Sequence, residues 1–243
     1  MILNKGNLLK NKNEDMELES YSMKLISKNR LTEVIELQHL VYEGLNNKDI
    51  LYLDSYNDML GDLEQGAKII GVVNNKNELI AYRYIGFPGI DKRNLGYDIA
   101  LPEIELNNVV HLETTVVNPI YRGNDLQSLT LQAASALVKK EGYHHLLCTV
   151  SPYNFHSLYN VMKNGLKIKA LKKKYGTDDD DGLWRFILHS DLDKPLINPI
   201  DLVISKWANL DLQRELIKDG YIGYEITKDT RQLNYMKFEK QPA

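Results

Sequence analysis

Residues 116–127 read Val-Val-Asn-Pro-Ile-Tyr-Arg-Gly-Asn-Asp-Leu-Gln. An apolar, β-branched run stops at Pro119, turns through Arg122, Gly123 and Asn124, and enters a helical pattern near Leu126. The first N–H groups of a helix have no partner within it, and the aligned peptide dipoles favour negative charge there. A turn of this kind running into a helix start is suited to holding phosphate oxygens. Asp125 stands at the helix start, where acidic residues are favoured as caps or as charges, and where a carboxylate would also neighbour any bound anion.

A second stretch, Ser151-Pro152-Tyr153-Asn154-Phe155-His156-Ser157, opens a helix that closes at Lys163-Asn164-Gly165-Leu166, with Asn154 at the N-cap. The two stretches resemble motif A and the following Asn-x-x-Ala/Ser helix of the GCN5-related N-acetyltransferase (GNAT) family. In that family Arg/Gln-x-x-Gly-x-Gly/Ala cradles the pyrophosphate of acetyl-CoA. The matching residues here are Arg122-Gly123-Asn124-Asp125-Leu126-Gln127, so Asp125 and Gln127 replace the two pattern glycines. The resemblance extends over about residues 19 to 190, and these two motifs carry it.

The resemblance implies acetyl-CoA as cosubstrate, seated between a splayed pair of parallel strands. Val117 and its neighbour Val116 would run along the pantetheine arm, residues 122–127 would hold the pyrophosphate, and Asn154 would steady the arm. The implied reaction is acetyl transfer to a primary amine by direct attack in a ternary complex. Many relatives place a glutamate where Glu113 stands, to take a proton from the amine. Partial desolvation would raise its pKa as base work at neutral pH requires; a cross-strand Lys or Arg partner is the competing structural reading. His111 shares the parity of Glu113 and reads more simply as a strand histidine. The tyrosine that protonates the departing thiolate in many relatives is Val161 here, and Tyr159 lies about 200° around the helix from it.

Other groups of this kind read as structural. Cys148, the one cysteine, lies in an apolar run and reads as a small core filler, against a covalent acetyl-cysteine route. His144-His145 has no matching ligand cluster, so no metal is expected. Lys172-Lys173-Lys174 reads as a strand face, the acidic run 178–181 as a solvated loop, and Trp184 and Trp207 as packing residues.

The elements that must position these groups follow from periodicity. Alternation of Tyr21, Met23 and Leu25 predicts a strand over 19–27. Leu31, Val34, Ile35, Leu37, Leu40, Val41 and Leu45 predict an amphipathic helix over 31–45, and a shorter helix over 56–65 ends at Gly66. Apolar runs at 68–73 and 78–87 flank Asn74-Asn75-Lys76-Asn77, a hairpin turn. Residues 87–106 read as a loop and 109–117 as a buried strand. The helix over 125–141 carries Leu126, Leu129, Ala133, Ala136 and Leu137 inward and stops at Gly142. A buried strand over 145–150 follows and predicts a parallel pair with 109–117. The helix 154–164 and a hairpin of 167–175 with 183–189 come next. Pro195 and Pro199 punctuate a junction to a helix over 210–218 and strands over 221–227 and 232–239.

This order matches that of the GNAT family, and predicts an α+β fold: a mixed, twisted sheet with helices on both faces. The expected organisation is a loosely ordered segment 1–16, a GNAT-like domain 17–192, and a C-terminal extension 193–243 packed on that domain or on a second subunit, which leaves a homodimer open. The acceptor pocket would be built from the first two helices, loop 87–108 and the 167–190 hairpin. At 243 residues, 43% hydrophobic and 26% charged, the composition is that of a soluble globular protein. The net charge of -3 argues against a nucleic-acid partner. No apolar run reaches membrane-spanning length, the N-terminus lacks a secretory pattern, and a lone cysteine suits the cytoplasm. The alternative function is a GNAT-like CoA-binding or protein-interaction module with little or no catalysis.

Overall fold

The computed structural model describes residues 1–12, 15–176, 181–194 and 198–239. Its chain divides into two compact units, residues 1–87 with 112–141 and residues 88–111 with 142–243.

The first unit is an antiparallel run of β1 (Ile2–Lys12), β2 (Asp15–Ile26), β3 (Lys68–Asn74) and β4 (Leu79–Gly86), joined by the later part of β5 (Val109–Val117). The β3–β4 turn at residues 74–77 closes as its asparagines predict, with Asn77 at φ 63°. Alternation assigns the faces of β4. Tyr82 and Tyr84 join the core with Leu31, Val34, Leu37 and Val41 of α1 (Leu31–Glu43) and Met59 of α2 (Tyr56–Glu64). Arg83, between the tyrosines, turns to the opposite face and bonds to α3 (Leu126–Lys140). Burying each large apolar side chain of this core contributes about 1.5–3 kcal/mol before entropy is charged. Ser55 caps α2, its hydroxyl accepting from Asp58 N–H at 3.1 Å.

The second unit begins with the first three residues of β5. Val109, Val110 and His111 pair in parallel with β6 (His145–Val150), as expected. The order continues β6, β8 (Leu183–Asp191), β7 (Lys167–Lys174), β10 (Ile222–Thr227), β11 (Gln232–Phe238) and β9 (Pro199–Lys206). Helices α4 (Phe155–Lys163) and α5 (Leu210–Lys218) belong here. Cys148 is buried in β6.

Four expectations change. Residues 2–12, read as loosely ordered, form β1, which pairs along its length with β2. The C-terminal stretch has a third strand, β9, pairing with β11. The loop 87–106 contains two 3-10 turns, Tyr97–Ile99 and Glu103–Asn108. The inner face of α3 is Leu126, Thr130, Leu131, Ala134 and Val138 with Ser128, and Ala136 is exposed. That rotation follows from Arg83: its guanidinium needs oxygen acceptors, and Thr130 and the Gln127 carbonyl supply them. Of the acidic run 178–181, the first three residues lie outside the described residues.

Candidate functional site

β5 enters the first unit with Glu113, Thr114, Thr115, Val116 and Val117 and ends at Asn118, whose N–H donates to the Ile80 carbonyl at 2.9 Å. The Asn118 side chain then accepts from Ile120 N–H at 3.2 Å and closes a 3-10 turn over Pro119–Tyr121. Tyr121 is buried beneath the turn, its hydroxyl donating to Glu19 Oε2 at 2.7 Å and accepting from Asn74 Nδ2 at 3.2 Å.

Beyond Tyr121 the backbone does what L-residues ordinarily avoid. Gly123 sits at φ 88° and Asp125, the N-cap of α3, at φ 55°, ψ 20°. Asp125 therefore adopts the left-handed conformation that a glycine would take there, which short polar residues tolerate best. Its carboxylate makes no capping bond to the helix, so the side-chain cap expected of it is not formed. Arg122, Gly123 and Asp125 are exposed, and Leu126 is buried and anchors the helix start. Arg83, 2% exposed, places a guanidinium beneath the first turn, with Nη2 donating to the Gln127 carbonyl at 3.1 Å. A fixed positive charge under an outward-facing helix N-terminus strengthens its attraction for an anion.

Glu113 is exposed on β5. Its Oε1 lies 3.0 Å from where a Cβ on Gly86 would stand, so the missing side chain at Gly86 makes room for the carboxylate. The side chain of Val116 is in the core, which leaves its backbone as the group able to face a ligand; Val117 is half-buried. Asn154 lies in the second unit, where its side chain caps α4 by accepting from Ser157 N–H at 3.1 Å. Val161, at the position of the family's tyrosine, is buried.

Two groups had no role in the sequence reading. Asp54 follows a 3-10 turn in the segment between α1 and α2. Its backbone is gripped at both ends by buried Gln38, which donates to the Asp54 carbonyl at 2.9 Å and accepts from its N–H at 3.2 Å. Its carboxylate accepts from Thr114 Oγ1 at 2.5 Å. Burial pushes Asp54 up to about 6; the negative charges of Glu113, Asp62 and Asp58 add to this and the Thr114 bond opposes it. Tyr84 donates to Asp62 Oδ2, and burial followed by that bond drives its pKa far upward. Arg83 is the other missed group. It is the one charge in the buried run Leu79–Gly86, a signal visible in the sequence; Asp54 had none, since its partner Thr114 lies 60 residues away.

No family model and no curated protein matches this sequence. Solved structures do. An N-acetyltransferase from Staphylococcus aureus Mu50 superposes with a TM-score of 0.54 at 14% identity, over 71% of this chain and 99% of its own. The ribosomal-protein-S18-alanine N-acetyltransferase of Escherichia coli gives 0.53 at 11% identity, over 72% and 96%. A GNAT-superfamily phosphinothricin acetyltransferase from Sinorhizobium meliloti, in complex with acetyl-CoA, gives 0.52 at 15% identity, over 71% and 88%. The protein has the α+β fold of the GNAT acetyltransferases.

Proposed function

We propose that this protein is an acetyl-CoA-dependent N-acetyltransferase acting on a primary amine by direct attack in a ternary complex. The observation that carries the reading is the loop 122–127: Gly123 and Asp125 both hold left-handed backbone ahead of α3, over the buried Arg83 guanidinium. That combination suits a pyrophosphate. The N–H groups of residues 122–127 would bind it, and the backbone of Val116 and Val117 would line the pantetheine arm.

Glu113 is the proposed base. The Glu113 carboxylate takes one proton from the arriving alkylammonium, the freed nitrogen lone pair attacks the thioester carbonyl, and the carbon–sulfur bond breaks; the nitrogen then gives its second proton to solvent, and the CoA thiolate takes a proton from solvent. Asp54, Asp62 and Glu113 give this side of the unit a negative potential, which suits an amine arriving as an alkylammonium. The reading is tested by thiol release: purified protein, acetyl-CoA and a panel of polyamines, aminoglycosides, amino acids and peptides. CoA appearing only when a particular amine is present supports it; no amine raising thiol release above the blank removes it.

One observation favours a second reading. Val161 is buried and offers no proton to a departing thiolate, which fits a GNAT-like CoA-binding or protein-interaction module with slow or absent chemistry. CoA binding without turnover on any amine would select it.

A further inference from the structure

The side chain of Asn124 is turned away from the face its loop presents. Its Oδ1 accepts from Leu9 N–H at 2.7 Å and its Nδ2 donates to the Leu9 carbonyl at 2.7 Å. The same Nδ2 donates to the Tyr121 carbonyl at 2.9 Å, within its own loop. Asn124 thus pairs with β1 as a neighbouring strand would, filling both outward backbone groups of one residue. Below it, Tyr121 is fixed to Glu19 of β2 and Asn74 of β3. Leu8, the neighbour of Leu9, is buried while Leu9 is exposed, so the hairpin has one face seated and its edge offered to the loop.

We infer that β1 is a strut for the phosphate-binding loop, and that the Asn124 side chain positions that loop rather than contacting the ligand. The inference rests on the acetyl-CoA reading for its consequence, though not for its geometry. Lys10 of β1, its Nζ 5.4 Å from the Tyr121 ring centroid, holds the turn just before the loop tip, and the Asn124–Leu9 pair ties the tip itself. Without that pair the left-handed turns at Gly123 and Asp125 lose one of their restraints. The free loop would then spend part of its time in other conformations, and apparent affinity falls by the populated fraction. The N-terminal hairpin accordingly acts on cofactor affinity without touching the cofactor.

The experiment is a double-mutant cycle on the full chain with Asn124→Ala, Leu9→Pro and both together. The Leu9 N–H points to Asn124 and not into the β1–β2 ladder, so proline there removes one bond of the pair at an edge position. Asn124→Ala is expected to raise the Kd and KM for acetyl-CoA about tenfold, as for loss of a well-made bond pair, and Leu9→Pro, which keeps the Leu9 carbonyl as acceptor, by a smaller factor in the same direction. Saturated kcat of Leu9→Pro should stay within about twofold, and the double variant should be no worse than Asn124→Ala alone. In parallel, hydrogen exchange of the ligand-free protein should speed up at the amides of residues 122–126 in every variant. Effects that multiply in the double variant, or unchanged affinity in both singles, overturn the inference. If the wild type itself does not bind acetyl-CoA, the functional reading falls, and the exchange data alone decide the strut: unchanged exchange at 122–126 overturns it.

Discussion

Glu113 and Asp125 each place a carboxylate where its consequences can be measured. Glu113→Gln keeps shape and loses basicity, so it should lower kcat by roughly 10²–10⁴-fold at pH 7 with little change in acetyl-CoA affinity; steady-state kinetics on the amine found by thiol release would show it. Asp125 sits in the conformation a glycine takes, beside the proposed pyrophosphate. Asp125→Gly should tighten acetyl-CoA by about 0.3–1 kcal/mol, the scale of one charge at a helix end, and calorimetry would read the change. Asp54 acts on stability. Its folded pKa, about 6, lies above the ordinary carboxylate value of 3.8. The folded state therefore binds more protons than the unfolded chain between these two values. The penalty for ionising Asp54 is full above pH 6 and relieved as pH falls toward 4. Asp54→Asn keeps the bond from Thr114 and should raise unfolding free energy by about 3 kcal/mol at pH 7.5, with the gain vanishing near pH 4. Urea melts at the two pH values would check the sign.

At the scale of elements, the bounds of β5 and α5 are visible in the sequence because each carries its own period and its own stop signal. β1 was not visible. Its Asn- and Lys-rich composition looks solvated, and its order comes from β2 pairing and from Asn124, 115 residues away. β9 alternates Ile200, Leu202 and Ile204 outward, a strand period that Pro195 and Pro199 obscured. The stripe of α3 was misplaced because apolar counting ignores Ser128 and Thr130, both buried, the latter accepting from the Arg83 guanidinium of the strand beneath. The turn after Pro119 running into a helix start and the N-cap role of Asn154 were legible, since both depend on local backbone chemistry. Asp54 and the Leu9–Asn124 pair were not, since both depend on distant contacts. The β4–β5 juxtaposition yields a further expectation. A Cβ on Gly86 would stand 3.0 Å from Glu113 Oε1, so Gly86→Ala should push the carboxylate aside. It should lower kcat about tenfold or more, as expected for a misplaced base, and leave acetyl-CoA affinity unchanged; the same kinetic assay separates the two.

For the whole molecule, a net charge of -3 with a local guanidinium under the loop means that attraction for a polyanion comes from the site and not from the overall field. Among the described residues no helix is long and apolar enough to cross a membrane. The central claim is that the turn after Pro119 holds the phosphates of acetyl-CoA despite Asp125. Titration calorimetry of the wild-type chain with acetyl-CoA, and separately with free CoA, tests it most directly. Micromolar binding, about -8 kcal/mol, weakened when Gly123 is replaced by a residue that resists positive φ, is the predicted result. No heat at millimolar ligand would contradict the claim and leave the GNAT fold here without its cosubstrate.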